Sequence, residues 1–206
     1  MIRISIDIAA YRINLSVLQR RLSPAELMAV VKDDAYGHGL ESIVAAARDS
    51  GVSRFAVLDI PTGVLVRKIV PDSHVQLFAW LFSQFDSFAQ AIEAHIDLGV
   101  SGVDVLDRIG MSVGKTPARV HLKIDSGLHR NGASVESWPK LVERALYWQK
   151  LGRVEVIGVW THIGEASDEE DDKSQQIFND AYSYAINAGL RIQERHLAAS
   201  AASYAR

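Results

Sequence analysis

The sequence predicts an α/β protein built as a TIM-like (β/α)8 barrel that is incomplete. Short apolar runs alternate with amphipathic helical segments along the chain, which is typical of repeated βα units around a parallel sheet. No Gly-x-Gly-x-x-Gly motif opens a helix, which disfavours a Rossmann fold. Seven barrel strands can be counted in the 206 residues, whereas a closed barrel needs eight strands and about 250 residues. We therefore expect one domain over residues 1–206 that lacks the last strand.

The elements follow in order from the amino terminus. Residues 1–7 alternate like a strand, and residues 9–22 carry apolar side chains at helical spacing before a Ser-Pro stop. Apolar runs predict barrel strands at residues 27–31, 55–60, 75–80, 99–103, 120–124, 154–162 and 192–198. Amphipathic spacing predicts helices at residues 40–49, 64–69, 85–94, 105–109, 135–150 and 175–188.

Composition excludes several classes of function. The net charge of -3 offers no basic field for nucleic acid. The absence of cysteine excludes disulfides, thiol nucleophiles and cysteine-ligated zinc. No signal peptide and no membrane-spanning apolar run is present, so we expect a cytoplasmic protein without a membrane partner.

Lys32 ends the first apolar barrel strand, and a turn with Gly37 and Gly39 follows it. Burial of a lysine disfavours the ammonium form, and a neutral amine can form a Schiff base with an aldehyde. A lysine that extends to solvent at a strand end is the alternative from position alone.

Polar residues also collect at three later strand ends. His121, Lys123 and Asp125 are predicted to share one face of a strand, either as paired charges or as a site for a carboxylate or phosphate. His162 ends the next strand, as a structural or a catalytic histidine. The small-residue turn at residues 196–202 enters a helix amino terminus, which suits an anion.

Two apparent motifs fail on spacing. Residues 110–116 imitate a phosphate loop but lack one residue between the glycines, and no clear strand precedes them. The acidic run at residues 165–172 lacks calcium-loop spacing and is interpreted as a solvated loop and helix start. We therefore predict neither ATP binding nor a metal site.

The run Val30-Val31-Lys32-Asp33-Asp34-Ala35-Tyr36-Gly37-His38-Gly39 resembles the cofactor-lysine motif of alanine racemases, Val-Val-Lys-Ala-Asp-Ala-Tyr-Gly-His-Gly. The resemblance implies that Lys32 carries pyridoxal 5'-phosphate and acts as a base, and that Tyr36 contacts the phosphate. Asp33 departs from the motif. We expect its side chain to point away from Lys32 into the layer between strand and helix, where a buried carboxylate needs a partner.

Three further segments resemble the same family. The run from Val120 to Gly132 implies that Lys123 matches a lysine often carried as a carbamate, and that Arg130 contacts the cofactor's phenolic oxygen and the substrate carboxylate. The Gly-Val-Trp-Thr-His run implies that His162 packs against the pyridine ring. The His-Leu-Ala-Ala-Ser-Ala-Ala run implies that Ser200 contacts the phosphate, with Ala199 in place of the family's Asn.

The resemblance implies an isomerase that interconverts L-alanine and D-alanine for peptidoglycan and is a homodimer at full length. Family members take the second base, a tyrosine, from the partner's carboxyl-terminal β-domain, and take an arginine from the eighth strand. Because both lie beyond Arg206, we expect little racemase activity from this segment alone. Alternatives are another pyridoxal-phosphate barrel enzyme (a racemase or decarboxylase), a non-catalytic cofactor-binding or interaction protein, and a small-molecule-binding barrel without cofactor.

Overall fold

The computed structural model describes residues 4–205, and helices and parallel strands follow one another through this range. The helices are α1 (Ile8–Leu22), α2 (Lys32–Gly37), α3 (Leu40–Asp49), α4 (Ile60–Ile69), α5 (Phe88–Glu93), α6 (Val103–Ser112), α7 (Trp138–Lys150), α8 (Asp168–Asn187) and α9 (Ser200–Ala205). The strands are β1 (Met28–Val30), β2 (Arg54–Val57), β3 (Gln76–Ala79), β4 (Ile96–Val100), β5 (Ala118–Lys123), β6 (Val154–Trp160) and β7 (Glu194–His196). The chain divides into two compact units, unit 1 up to Ile96 and unit 2 from Asp97.

In unit 1, strands β1, β2 and β3 pair in parallel, with Ala29 beside Phe55 and Phe55 beside Leu77. Phe55 and Leu77 are fully buried, and helix α4 packs on β2 and β3. Asp7 begins α1 by accepting a hydrogen bond from the Ala10 amide at 2.9 Å, and Asp59 caps α4 in the same way. These caps satisfy amides that a helix start leaves without an intrahelical partner.

In unit 2, strands β4 to β7 pair in parallel in chain order. The β5–β6 ladder shifts its register between Val120 and His121, so that Val120 lies beside Val156 but His121 lies beside Gly158. Leu98, Leu122 and other apolar side chains of these strands are fully buried, and helix α7 packs on β6. The shift decides which side chains of β5 and β6 are neighbours.

The α/β class and all predicted barrel strands are confirmed, and α3 matches its predicted bounds of residues 40–49. Several boundaries were wrong. Ile60 begins α4 and Val103 begins α6, although both were assigned to strands. The amino-terminal strand is wrong for residues 4–7, which have no regular structure, and residues 1–3 lie outside the described range. The single domain over residues 1–206 stays a prediction.

Gly110, the first glycine of the sequence that imitates a phosphate loop, has a packing role. It lies inside α6 rather than in a loop after a strand. A Cβ atom built at Gly110 would lie 2.4 Å from the Trp148 ring. The helix can therefore pack closely on the indole only because residue 110 has no side chain. The Trp148 Nε1 donates to the Asp107 carboxylate at 2.7 Å, which holds the indole in place.

We expect Gly110→Ala to destabilise the protein, although alanine normally favours a helix. The added methyl group must displace the indole, and we expect a loss of about 1–3 kcal/mol in the free energy of unfolding by denaturant titration. Gly114→Ala is the control because no atom lies within 4 Å of its added Cβ. Equal stability of the two variants would contradict this account of Gly110.

Candidate active site

Lys32 is the first residue of the helical segment that follows β1 in unit 1. The preceding Val31 amide donates to the Ala56 carbonyl at 2.8 Å, so the parallel ladder continues one residue beyond β1. The Lys32 side chain is half-buried, and its Nζ lies 5.6 Å from the centroid of the Tyr36 ring. The structure therefore brings the predicted cofactor lysine and the predicted phosphate-binding tyrosine together in this unit.

The segment α2 is a left-handed turn. Asp33, Asp34, Ala35 and Tyr36 have φ between 53° and 55°, a region that costs roughly 1–2 kcal/mol per residue for side chains other than glycine. The Ala35 amide donates to the Val31 carbonyl at 3.2 Å, and the Gly39 amide donates to Asp34 at 3.0 Å. The Asp34 carboxylate accepts from the Leu40 amide at 2.7 Å and thereby caps α3. Such strain, held by surrounding contacts, is typical of functional sites.

The turn corrects the expectation for Asp33. Because Asp33 lies in a left-handed turn and not on a strand, alternation along a strand does not determine where its side chain points. The residue is exposed, so its carboxylate is not buried between strand and helix.

Tyr36 and His38 line a cavity of about 440 Å³ in unit 1, together with residues from the start of α1. Partial burial and the neighbouring Asp33 carboxylate raise the pKa of Tyr36. The phenol therefore stays protonated at neutral pH, and it can donate a hydrogen bond to an anion.

Lys123 ends β5 in unit 2, and it is only 3% exposed. Its Nζ donates to the Asn131 side-chain oxygen and lies 4.3 Å from the centroid of the Trp160 ring. Burial and the nearby Arg130 charge lower the pKa of Lys123 to about 8, although the Asp125 carboxylate acts in the opposite direction. A substantial fraction of this amine is neutral at slightly alkaline pH.

Asp125 lies in the loop after β5, so the prediction that it shares a strand face with Lys123 was wrong. Its carboxylate accepts from the Gly127 and His129 amides at 3.2 and 3.0 Å. The Ala133 amide donates to the Lys123 carbonyl at 2.9 Å and closes the loop on the strand. Arg130 is exposed on this loop, close enough for its charge to lower the pKa of Lys123.

His121 is fully buried one layer below Lys123 on the same strand. Its Nε2 lies 3.3 Å from the Asp97 carboxylate, and its Nδ1 lies 3.1 Å from Nε2 of His196. Asp97 also accepts from Arg119 at 2.6 Å through Nε and at 3.1 Å through Nη2. Each ring nitrogen of His121 therefore has a partner, the Asp97 carboxylate at Nε2 and the His196 imidazole at Nδ1.

His162 and Ser200 lie just beyond β6 and β7. The Thr161 amide donates to the His196 carbonyl at 3.1 Å, and the Ile163 amide donates to Leu197 at 3.2 Å. These bonds join the two strand ends on either side of His162, which is half-buried. Ser200 is exposed and begins α9, as the predicted helix start requires.

The start of α9 already holds a carboxylate. The Ala202 amide donates to Oε1 of Glu165 at 2.8 Å. Glu165 was placed in a solvated acidic run, and α8 does begin within that run, at Asp168. A phosphate at this turn would meet Ser200 and would compete with Glu165 for the Ala202 amide.

Comparison with known proteins identifies the family of this chain. Residues 6–206 match the sequence model of the alanine racemase N-terminal domain. The chain belongs to the alanine racemase N-terminal domain family. It is 39% identical to an alanine racemase of Salinispora tropica over 209 residues, which cover 98% of this chain and 55% of that protein.

Solved structures show the same relationship. An alanine racemase from Streptomyces coelicolor matches with a TM-score of 0.92 and 33% identity over 96% of this chain and 54% of its own. One from D-cycloserine-producing Streptomyces lavendulae matches with a TM-score of 0.93 and 33% identity over 97% and 53%. The incomplete TIM-like barrel is thereby confirmed as the fold class. The chain spans about half the length of these alanine racemases.

Several contributors to this alanine racemase N-terminal domain were not predicted from the sequence. Asp97, Asn131 and Gly158 contact His121 or Lys123 only through cross-strand register or loop closure. A buried aspartate on an apolar strand was the one available signal, since a buried carboxylate needs a partner.

No helix in residues 4–205 is both long enough and apolar enough to span a membrane.

The lowered pKa of Lys123 predicts how protein stability changes with pH. Below pH 8 the amine is charged in both folded and unfolded chains, and its burial costs up to about 3 kcal/mol. Between about 8 and 10.5 the folded chain releases its proton first, so the free energy of unfolding rises with pH. Lys123→Met should remove this rise when unfolding is measured in buffer free of carbon dioxide.

Lys140→Met is the matched control because Lys140 is exposed on α7, where water surrounds the amine before and after unfolding. We expect this variant to follow the pH dependence of the unaltered chain. If the free energy of unfolding of Lys123→Met still rises between about pH 8 and 10.5, the rise belongs to another group and the prediction is wrong.

Proposed function

We propose that this chain is the pyridoxal-phosphate-binding part of an alanine racemase, an isomerase that interconverts L-alanine and D-alanine. The observation that carries the proposal is the half-buried amine of Lys32 at the end of β1, beside Tyr36, in a chain of this family. Because the chain spans about half the length of its relatives, the activity is proposed for the whole protein.

The residues present fit the cofactor chemically. Lys32 supplies a primary amine for the aldehyde, and the protonated phenol of Tyr36 supplies a donor for the phosphate. When bound, the cofactor would act as an electron sink for the charge left as the α-proton departs. The Lys32 Nζ would take that proton from one enantiomer of alanine or return it to the same face. Water exclusion around this amine is partial, since Lys32 is half-buried.

We propose three further contacts from unit 2, each by its motif position in the family. Arg130 offers a permanently charged guanidinium that can bind a carboxylate through two hydrogen bonds. His162 offers a flat ring against the pyridine, and Ser200 offers a hydroxyl to the phosphate at the start of α9. These assignments rest on the motif positions within the alanine racemase N-terminal domain family.

We further propose that Lys123 is carried as a carbamate. The neutral amine is the form that reacts with carbon dioxide, and a pKa of about 8 makes it available near neutral pH. Arg130 repels the Lys123 ammonium, whereas a carbamate anion would turn this repulsion into attraction. The Asn131 side-chain oxygen that accepts from Nζ would accept equally from the carbamate N–H.

The same proposal extends to the setting of the whole protein. Alanine is the small-molecule substrate, the full-length enzyme is a homodimer in the cytoplasm, and its product supplies D-alanine for peptidoglycan. Family membership supports each of these points.

Trapping the cofactor tests the role of Lys32 directly. The chain is incubated with pyridoxal phosphate, reduced with borohydride, and mapped by peptide mass spectrometry. We expect the pyridoxyl group on Lys32, and we expect Lys32→Ala to lower total labelling about tenfold, because Lys32 is the one lysine in residues 31–39 between β1 and α3.

Lys140→Ala serves as the control for loss of a surface amine, and its labelling should match that of the unaltered chain. Labelling spread evenly over surface lysines, with Lys32 unmodified, would refute the proposed cofactor site. That result would favour a barrel that works without this cofactor.

Carbamate formation has its own measurement. We expect a carbamate resonance in the carbon-13 spectrum when the chain is held in labelled bicarbonate near pH 8, close to the pKa of Lys123. Lys123→Gln should abolish the resonance and Lys140→Gln should retain it. A spectrum that Lys123→Gln leaves unaltered would reject the carbamate on this residue.

A further inference from the structure

A chain of hydrogen bonds crosses unit 2 through Asp97, His121 and His196, to which the proposed function gives no role. Asp97 lies on β4, His121 on β5 and His196 at the carboxyl end of β7. The Asp97 Oδ2 lies 3.3 Å from His121 Nε2, and His121 Nδ1 lies 3.1 Å from His196 Nε2. Asp97 and His121 are buried, and His196 is partly exposed.

Gly158 allows His121 to reach over β6. Register places Gly158 directly beside His121, and a Cβ atom at Gly158 would lie 2.3 Å from His121 Nδ1. Any larger residue at this position would occupy the space of the imidazole. The absence of a side chain at Gly158 therefore leaves room for the hydrogen bond between His121 of β5 and His196 of β7.

Asp97 determines which atom donates in each of these hydrogen bonds. Burial alone would raise the pKa of Asp97, but hydrogen bonds from His121 and Arg119, together with the Arg119 charge, hold it well below its ordinary value. An ionised carboxylate only accepts hydrogen bonds, so Nε2 of His121 must donate to it. In a neutral imidazole the other nitrogen is then an acceptor, and Nδ1 of His121 accepts from Nε2–H of His196.

We propose that Asp97 and His121 are positioning residues that hold His196 in a single tautomer, protonated at Nε2. Nδ1 of His196 is then a hydrogen-bond acceptor at the carboxyl end of β7. Stacking of the His196 ring on Trp160, with centroids 5.5 Å apart and planes 10° apart, fixes its orientation as well. The place of His196 in a cofactor site rests on the proposed function, whereas its tautomer does not.

Nitrogen NMR reads the tautomers directly. The seven histidines are labelled with nitrogen-15, and two-bond proton–nitrogen spectra are recorded at about pH 8, above the ordinary imidazole pKa of about 6.5. The resonances are assigned with His121→Gln and His196→Gln. We expect both His121 and His196 to carry their proton on Nε2. A proton on Nδ1 of either ring, or rapid averaging of both forms, would overturn the proposal in the unaltered chain.

We expect Asp97→Asn to exchange donor and acceptor in both hydrogen bonds of His121. The shortest hydrogen bond to residue 97 runs from Arg119 Nε to Oδ1 at 2.6 Å, so we expect the amide oxygen in this position. The amide NH2 then takes the Oδ2 position, where it faces His121 and displaces Nη2 of Arg119. His121 must then accept at Nε2 and donate from Nδ1, and His196 must accept at Nε2 and carry its proton on Nδ1. A purely structural role of Asp97 would change stability without moving both protons.

Asp107→Asn is the matched control, because Asp107 accepts from Nε and Nη2 of Arg144 in the same arrangement. We expect unchanged tautomers in this variant. Unmoved protons in Asp97→Asn, or moved protons in Asp107→Asn, would overturn the proposal. The pyridoxyl label on Lys32 is measured separately, so failure of cofactor binding would count against the proposed function alone.

Discussion

The register shift between β5 and β6 is the constraint on which the polar interior of unit 2 depends. Without it, His121 would lie beside Ile157 and Lys123 beside Val159, and both would face a branched apolar side chain. The shift instead puts the empty position of Gly158 beside His121 and the Trp160 indole beside Lys123. A single extra residue in β6 thus decides which neighbours the polar side chains of β5 have.

In unit 1, the left-handed turn after β1 depends on hydrogen bonds that stabilise an unfavourable backbone conformation. Four consecutive residues other than glycine occupy a backbone region that L-amino acids disfavour, and their cost is offset by hydrogen bonds at both ends of the turn. The Asp34 side chain ties the turn to the amino terminus of α3. The sheet ladder at Val31 and the cap from Asp34 therefore hold the backbone on both sides of Lys32.

Much of the fold could be predicted because apolar periodicity is a local property. Helix α3 was predicted to the residue, whereas Ile60 and Val103 were assigned to strands because an apolar run does not distinguish a strand end from a buried helix start. The left-handed turn was missed because Ala and Tyr disfavour this backbone region, and because Asp adopts it as a single residue and not in a run of four. Asp97 and Gly158 were missed because their roles depend on pairing between distant segments, and Glu165 because its partner lies 37 residues later in the chain.

The close approach of His121 to Gly158 also constrains the order in which this sequence can change over evolutionary time. His121 can be replaced by a smaller residue while Gly158 stays as it is. A side chain can appear at position 158 only after the imidazole has gone, since the two would occupy the same space. Substitution at this pair is therefore directional, and a lineage that has filled position 158 has a barrier against regaining the histidine.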